Sequence, residues 1–321
     1  MDRSLELSEI SLVPTQTNDG DKNLGSPNFG VTNFGIMSYP IMISPRIDLI
    51  DSKNLKGLIE LGFNVVIPKE VPMQDRLQMC TSMFTSFTLQ EIPQVLSQLK
   101  TLRGTGSPVF VYVESGLNGH NSDILYKASL LKSVGATIMA GPIINPKAYE
   151  LYAKAGVDIV RVGNYLDQDE RSPKIGMTYP IVTMLSEISA IKQKFGGGPT
   201  PKISIEGYAE DGEDILKCIA LGADYVTICG KFGRYIESAG QKFERIINHM
   251  GENSYKPFTE AITEDTLKKH TLFRQINGTW VSILGSVRTY LKSIQKDFKY
   301  AFEMTNSKNW EEFKKNIGII Y

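Results

Sequence analysis

The residues best equipped for chemistry stand at the ends of short apolar runs. Lys69 and Glu70 follow Val65-Val66-Ile67-Pro68, Glu114 closes Val109–Glu114, and Glu206 closes Ile203–Glu206 just ahead of Gly207. Ser44 closes Tyr39–Ser44, and Asn145 follows Ile143-Ile144. An ammonium beside carboxylates can exchange protons or bind hydroxyl groups. For Lys69 a surface salt bridge is the plainer alternative; for Glu206 and Glu114 it is a solvated strand end. Gly163 and Gly230 end two further runs, as Gly207 ends that of Glu206. With no Cβ they let backbone N–H groups approach an anion closely, and such clusters hold phosphate. The plainer reading is that they turn the chain out of a strand. Asp167, Asp169 and Glu170 form an acidic stretch inside Gly163–Arg171. They are either solvated loop or, if buried against one another, acids of raised pKa.

Other chemistries are poorly served. The cysteines are Cys80, Cys218 and Cys229, with no C-x-x-C pair, and His120, His249 and His270 lie far from them in sequence. A structural zinc site is not expected. Cys80 and Cys218 read as small buried hydrophobes on helices, and Cys229 as a similar group at a strand end. His120 ends a loop on the side where the candidate residues gather; no role is assigned to it.

The elements that must position these residues follow a repeated theme. A glycine ends a helix-like stretch and an apolar β-branched run begins. It reads Leu61-Gly62-Phe63-Asn64-Val65-Val66-Ile67, then Val134-Gly135-Ala136-Thr137-Ile138-Met139-Ala140-Gly141. It returns as Ala155-Gly156-Val157-Asp158-Ile159-Val160-Arg161-Val162-Gly163 and as Leu221-Gly222-Ala223-Asp224-Tyr225-Val226-Thr227-Ile228-Cys229-Gly230. The glycine suits the left-handed residue past a helix end. The run suits a strand buried on both faces, as in a parallel sheet. Asn145-Pro146 and Asp211-Gly212-Glu213-Asp214 open two of the intervening helices. With Tyr39–Ser44, Val109–Glu114 and Ile203–Glu206, seven strands are legible, and an eighth is not. Residues 272–304 read as mainly helical. No G-x-G-x-x-G follows Tyr39–Ser44, which disfavours an open doubly wound sheet. The expected fold is therefore α/β, a TIM (β/α)8 barrel in a single domain, with chemistry at the carboxyl ends of its strands. An irregular lead-in is expected over residues 1–35, and the barrel with a C-terminal helical segment over 36–321. Tyr290, Phe298, Tyr300, Phe302, Trp310 and Phe313 read as a packing face of that segment.

The 321 residues would suit about two domains at ~150 residues each, or one such barrel. Lys+Arg and Asp+Glu are both 35, a balance that argues against a dedicated nucleic-acid binder. No apolar run approaches the ~18 residues of a membrane span, and the N-terminus lacks the order of a signal peptide. The expectation is a cytoplasmic protein.

Over roughly residues 8 to 295 the chain resembles the IMP dehydrogenase/GMP reductase family. Ala136–Gly141 through Ala155–Gly163 is similar to the family's "TIMAGN…SGADIIKVG", and Lys174–Pro180 to "KTGVGYP". Ile205-Glu206-Gly207 with Gly222–Gly230 resembles "SDGG…GADFVMLGG", and Glu237-Ser238-Ala239-Gly240 the reductases' "ESGG". The resemblance implies a purine nucleoside monophosphate ligand, NADP or NAD as cofactor, and a homotetramer. It sets Glu206 where the family binds the ribose hydroxyls and Glu114 near the nicotinamide, on a cofactor side that also takes Asn145. Gly207 and Gly230 fall in the phosphate site, with Ser44 and Gly163 beside the nucleotide. Lys69 falls within one residue of the reductases' strand-two lysine, which with Asp167 and Asp169 makes the catalytic candidates.

The departures point elsewhere. The family's loop "G-x-G-S-x-C-T-T" supplies a cysteine that attacks the purine. Here Gly163–Arg171 contains no Cys, Ser or Thr. A carboxylate cannot replace a thiolate in that covalent step. Cys229 and Tyr208 replace phosphate-site glycines. Residues 249–256 only distantly echo the family's "GMSS". Two functions are therefore expected, a divergent purine-nucleotide oxidoreductase with altered chemistry or an inactive relative acting as nucleotide sensor or assembly subunit, with a new substrate handled by Asp167 or Asp169 as a third possibility.

Overall fold

The computed structural model describes residues 5–15, 28–33, 36–115, 122–163, 179–207, 209–276 and 278–321. Eight short parallel strands form its centre: β1 Ile41–Ile43, β2 Asn64–Val65, β3 Thr85–Phe87, β4 Phe110–Glu114, β5 Thr137–Ile143, β6 Ile159–Val162, β7 Lys202–Glu206 and β8 Tyr225–Ile228. Each except β2 pairs with the next in chain order, and β8 pairs with β1. Between β2 and β3 the ring is joined by the Ile67–Thr85 bridge, with the Ile67 amide 2.9 Å from the Phe84 carbonyl. The result is a closed barrel, with a helix after every strand: α1 Leu55–Glu60, α2 Met73–Met79, α3 Ile92–Gly104, α4 Ser122–Ser133, α5 Pro146–Lys154, α6 Ile181–Lys194, α7 Gly212–Ala220 and α8 Val287–Met304.

The expected barrel is present, with two corrections. The strand not legible in the sequence is β3, the third rather than the last. It is three residues long and no glycine announces it, so Gly163, Gly207 and Gly230 end the sixth, seventh and eighth strands. The segment expected to be helical over 272–304 begins instead as a hairpin. β9 Phe243–Ile247, β10 Asn253–Pro257, β11 Leu272–Ile276 and β12 Thr279–Ser282 form an antiparallel sheet in the order β10-β9-β11-β12, inserted between β8 and α8. β-Branched and aromatic residues explain it: Trp280 stacks on Tyr255 at 3.7 Å between ring centroids, and Phe243 meets its edge at 5.2 Å.

Local rules hold where the sequence stated them. Asn145 caps α5, its Oδ1 accepting from the Lys147 amide at 2.9 Å, and Asp211 caps α7 in the same way. Gly62, Gly135, Gly156 and Gly222 all have positive φ at helix ends. Cys80 and Cys218 are buried beside and within helices. Phe298, Phe302, Trp310 and Phe313 pack as one buried aromatic group, joined by Phe29, while Tyr300 faces solvent. Within residues 1–35, Ser11–Pro14 pairs antiparallel with Ile317–Ile320; most of residues 15–34 lies outside the described residues. Among the described residues no helix is long and apolar enough to cross a membrane.

One glycine is obligatory. At Gly141 the β5–β6 register shifts, φ is +139°, and an added Cβ would stand 2.5 Å from the Arg161 carbonyl oxygen. Both the dihedral and the clash oppose a side chain. Gly141→Ala is expected to lower unfolding stability by more than about 2 kcal/mol in urea titrations.

Candidate functional site

Strand alternation builds the site. Met42, Val66, Phe84, Phe110, Tyr112, Met139, Ile159 and Tyr225 form a closed apolar cluster inside the barrel, separate from the core between strands and helices. With a period of two, the same side of each strand then presents Ser44, Glu114, Arg161, Ser204, Glu206, Thr227 and Cys229. The interior is thus apolar towards the amino ends of the strands and polar towards their carboxyl ends. Ser204 and Thr227 hydroxyls meet at 2.9 Å within it.

At the centre of the polar half lies a buried ion pair. The Arg161 guanidinium contacts the Glu206 carboxylate, with side-chain exposures of 1% and 4%. The Ser44 hydroxyl donates to Glu206 Oε1 at 2.9 Å. Arg161 also lies over the Tyr112 ring, 4.7 Å from its centroid, and the Tyr112 hydroxyl donates to the Gly141 carbonyl at 3.1 Å. Burial pushes the Tyr112 phenol far above its usual range, so it is a fixed donor. Glu206 is therefore not a solvated strand end. It is a carboxylate held in place by a cation and a hydroxyl.

A second pair lies nearby in the fold. Lys69, just beyond β2, places its ammonium 2.7 Å from Glu114 Oε2 at the end of β4. Their side chains are 41% and 22% exposed, so this pair faces solvent while Arg161–Glu206 does not. A third group gathers where β8 ends. Asp48 is gripped by Arg46 through Nε at 2.8 Å and Nη2 at 2.9 Å, and by Arg274 of β11 at 3.0 Å. Arg46 Nη1 also donates to the Cys229 sulfur at 3.5 Å. Arg274 further binds the Gly233 carbonyl and the Ser238 hydroxyl.

The structure thus joins four of the sequence-derived candidates in two pairs: Ser44 with Glu206, and Lys69 with Glu114. Gly163, with φ +135°, donates its amide to Ile143; Gly207 has φ +87°; Gly230 follows Cys229 just past β8. The Asn145 oxygen is engaged as a helix cap. Asp167, Asp169, Tyr208 and His120 lie outside the described residues. Arg161, Tyr112, Arg46, Asp48 and Arg274 were not among the sequence-derived site residues. Arg161 had a legible signal, a lone charge within the apolar run Ile159–Val162. Arg274 had none, because it comes from the inserted sheet.

A closed parallel barrel with charged groups gathered at its carboxyl end belongs to the (β/α)8 class. Residues 92–321 match the family model described as IMP dehydrogenase / GMP reductase domain, and the chain belongs to that family. It is 27% identical over 191 residues to a GMP reductase of Caenorhabditis elegans, covering 57% of this chain and 51% of that protein. To GMP reductase 2 of Bos taurus it is 26% identical over 195 residues, covering 56% and 53%. The chain therefore spans about half the length of the curated relatives it matches. The crystal structure of inosine 5' monophosphate dehydrogenase from Legionella pneumophila superposes with a TM-score of 0.71 over 99% of this chain and 98% of that one, at 17% identity, a likeness of fold alone.

Breaking a buried pair from one side strands the other charge. Arg161→Met is expected to cost about 3–5 kcal/mol by urea unfolding. The Glu206 carboxyl would then sit buried without its cation and hold its proton more tightly folded than unfolded. The variant's stability should consequently fall as pH rises through the carboxylate range, a trend the Arg161→Met/Glu206→Gln double variant should lack.

Proposed function

We propose that this chain binds a purine nucleoside monophosphate at the carboxyl end of its barrel and works on it with a nicotinamide cofactor, by chemistry altered from that of its family. The observation that carries this reading is the carboxylate of Glu206, anchored by Arg161 and Ser44, at the position that the resemblance sets at the ribose hydroxyls. An anchored carboxylate accepts hydrogen bonds from a vicinal diol without reorganising. The amides at Gly207 and Gly230 would take the phosphate. Cys229 narrows that position relative to glycine, but it brings with it the Arg46 guanidinium, a cation suited to phosphate.

NADP or NAD would lie beside Glu114 and Lys69, with Asn145 on the same side. The half-exposed Lys69–Glu114 pair fits such a group, since it offers a charged donor and an acceptor that remain open to solvent. When bound, the nicotinamide supplies or accepts a hydride. Lys69 would hold a proton near the purine, and Glu114 would orient the ammonium. Asp167 and Asp169 are the acid–base candidates of the loop after β6.

A second reading has its own observation. The family's covalent step needs a cysteine in that loop, and the chain has none there: Cys80, Cys218 and Cys229 are elsewhere and all buried. Burial pushes the Cys80 thiol up to about 11 and Cys218 higher still, so neither is a nucleophile near neutrality. On this reading the protein is a nucleotide sensor or a partner subunit in a family-like tetramer, located in the cytoplasm like the first.

The test is a thermal-shift panel with IMP, XMP, GMP and AMP, each with and without NAD(P)H. A ligand at about a hundred times its Kd adds roughly 2.7 kcal/mol, several degrees for a chain of this size. One purine monophosphate is expected to shift the wild type, and Glu206→Gln is expected to abolish the shift. Turnover of GMP or IMP that is lost in Lys69→Met would select the enzyme; binding without turnover would select the sensor. No shift with any nucleotide would overturn both.

A further inference from the structure

A cavity of about 660 Å³ lies between α1 and the segment that joins β8 to β9, its charged walls being Asp51, Lys53, Glu237, Lys242 and Arg288. None of Ser44, Lys69, Glu114 or Glu206 lines it; it adjoins the Asp48 cluster of the mouth through Ser238, which Arg274 holds. Its unusual member is Lys242. The residue is 7% exposed, and its ammonium donates to the Ser238 carbonyl. Among the described residues it has no ion pair, and a lysine has three donors. A buried cation held by one carbonyl is costly unless a further acceptor arrives.

The surrounding charges say what that acceptor is. Two acids act on Lys242 through space, and each has hydrogen bonds of its own to other groups. Asp51 Oδ1 accepts the amides of Lys53 and Asn54 at 2.9 and 3.0 Å. Glu237 accepts the Ser286 hydroxyl and, at 2.7 Å, the Val287 amide, which ties it to the start of α8. The other charges are cations: Arg274, whose Nη1 reaches Ser238 Oγ at 2.9 Å, and the exposed Lys53 and Arg288. Burial first, and then the Arg274 charge, draws the Lys242 amine down to about 8, with Asp51 and Glu237 pulling against them.

We propose that this cavity is a second anion site, which takes a phosphate-bearing small molecule with Lys242 as its buried cation and Lys53 and Arg288 completing the cradle. The anion would occupy the free donors of Lys242 and hold the amine protonated. This inference is independent of what the barrel mouth binds.

The experiment is a thermal-shift and calorimetric titration with inorganic phosphate and pyrophosphate at ionic strength held constant with chloride. Phosphate is expected to raise the Tm of the wild type, with the gain lost in Lys242→Met, reduced in Arg288→Gln and kept in Glu206→Gln. No gain in the wild type, or an undiminished gain in Lys242→Met, overturns the proposal. A gain lost in Glu206→Gln but kept in Lys242→Met would also overturn it, and would place the phosphate at the barrel mouth instead. Lys242→Met provides a control on folding. Its amine has a folded pKa of about 8 against an ordinary 10.5, so its charge lowers stability in full below about pH 8 and the cost fades towards 10.5. In phosphate-free buffer Lys242→Met should therefore be more stable than wild type at pH 7, the gap closing as pH rises.

Discussion

The Arg161–Glu206 contact is the constraint on which the barrel mouth depends. Two full charges lie almost wholly buried at the mouth, and each is tolerable there only because of the other. Everything around them is arranged to keep the pair in one geometry. Ser44 holds the carboxylate from β1, Tyr112 supports the guanidinium from β4, and the side-chain-free Gly141 leaves room for the Arg161 backbone. Four strands that are distant in sequence are thereby pinned at a single height in the barrel. The apolar cluster beneath supplies cohesion without direction; the ion pair supplies direction.

This arrangement also divides two kinds of charge. The buried pair is rigid and shielded from ionic strength. Lys69–Glu114 is open to solvent, weaker in energy and able to exchange partners. A binding group benefits from the first condition and a proton-handling group from the second. The mouth holds both, on neighbouring parts of one ring. The Asp48 cluster adds a third layer, in which two guanidinium groups share one carboxylate and leave a surplus of positive charge beside Cys229.

Much of this was legible in the residues. Apolar runs, four of them opened by a glycine, identify seven of eight strands, because a strand buried on both faces has few alternatives. Thr85–Phe87 escaped, since three residues carry no period and pairing with the neighbours alone makes them a strand. The inserted sheet was obscured by the expectation of helix, although Asn277-Gly278 between Leu272–Ile276 and Thr279–Ser282 is a strong hairpin signal in the sequence. Of the site, the strand-end carboxylates and Lys69 were found by position. Their pairing was not, because nothing in local sequence says that Ser44 meets Glu206 or that Lys69 meets Glu114 across the ring. Arg274 lay furthest from reach: its partner Asp48 is more than two hundred residues away.

Arg274 also bears on modularity. Barrels of this class are commonly pictured as a fixed frame with exchangeable loops. Here the insert between β8 and α8 sends one guanidinium back to Asp48, Gly233 and Ser238, so frame and insert share a single network of hydrogen bonds. A chimera that exchanged the insert for a relative's would leave Asp48 facing Arg46 alone and remove a cation from the wall of the mouth. The insert is separable as a stretch of gene and inseparable as chemistry, so grafts on this chain would have to carry Asp48 and Arg274 together.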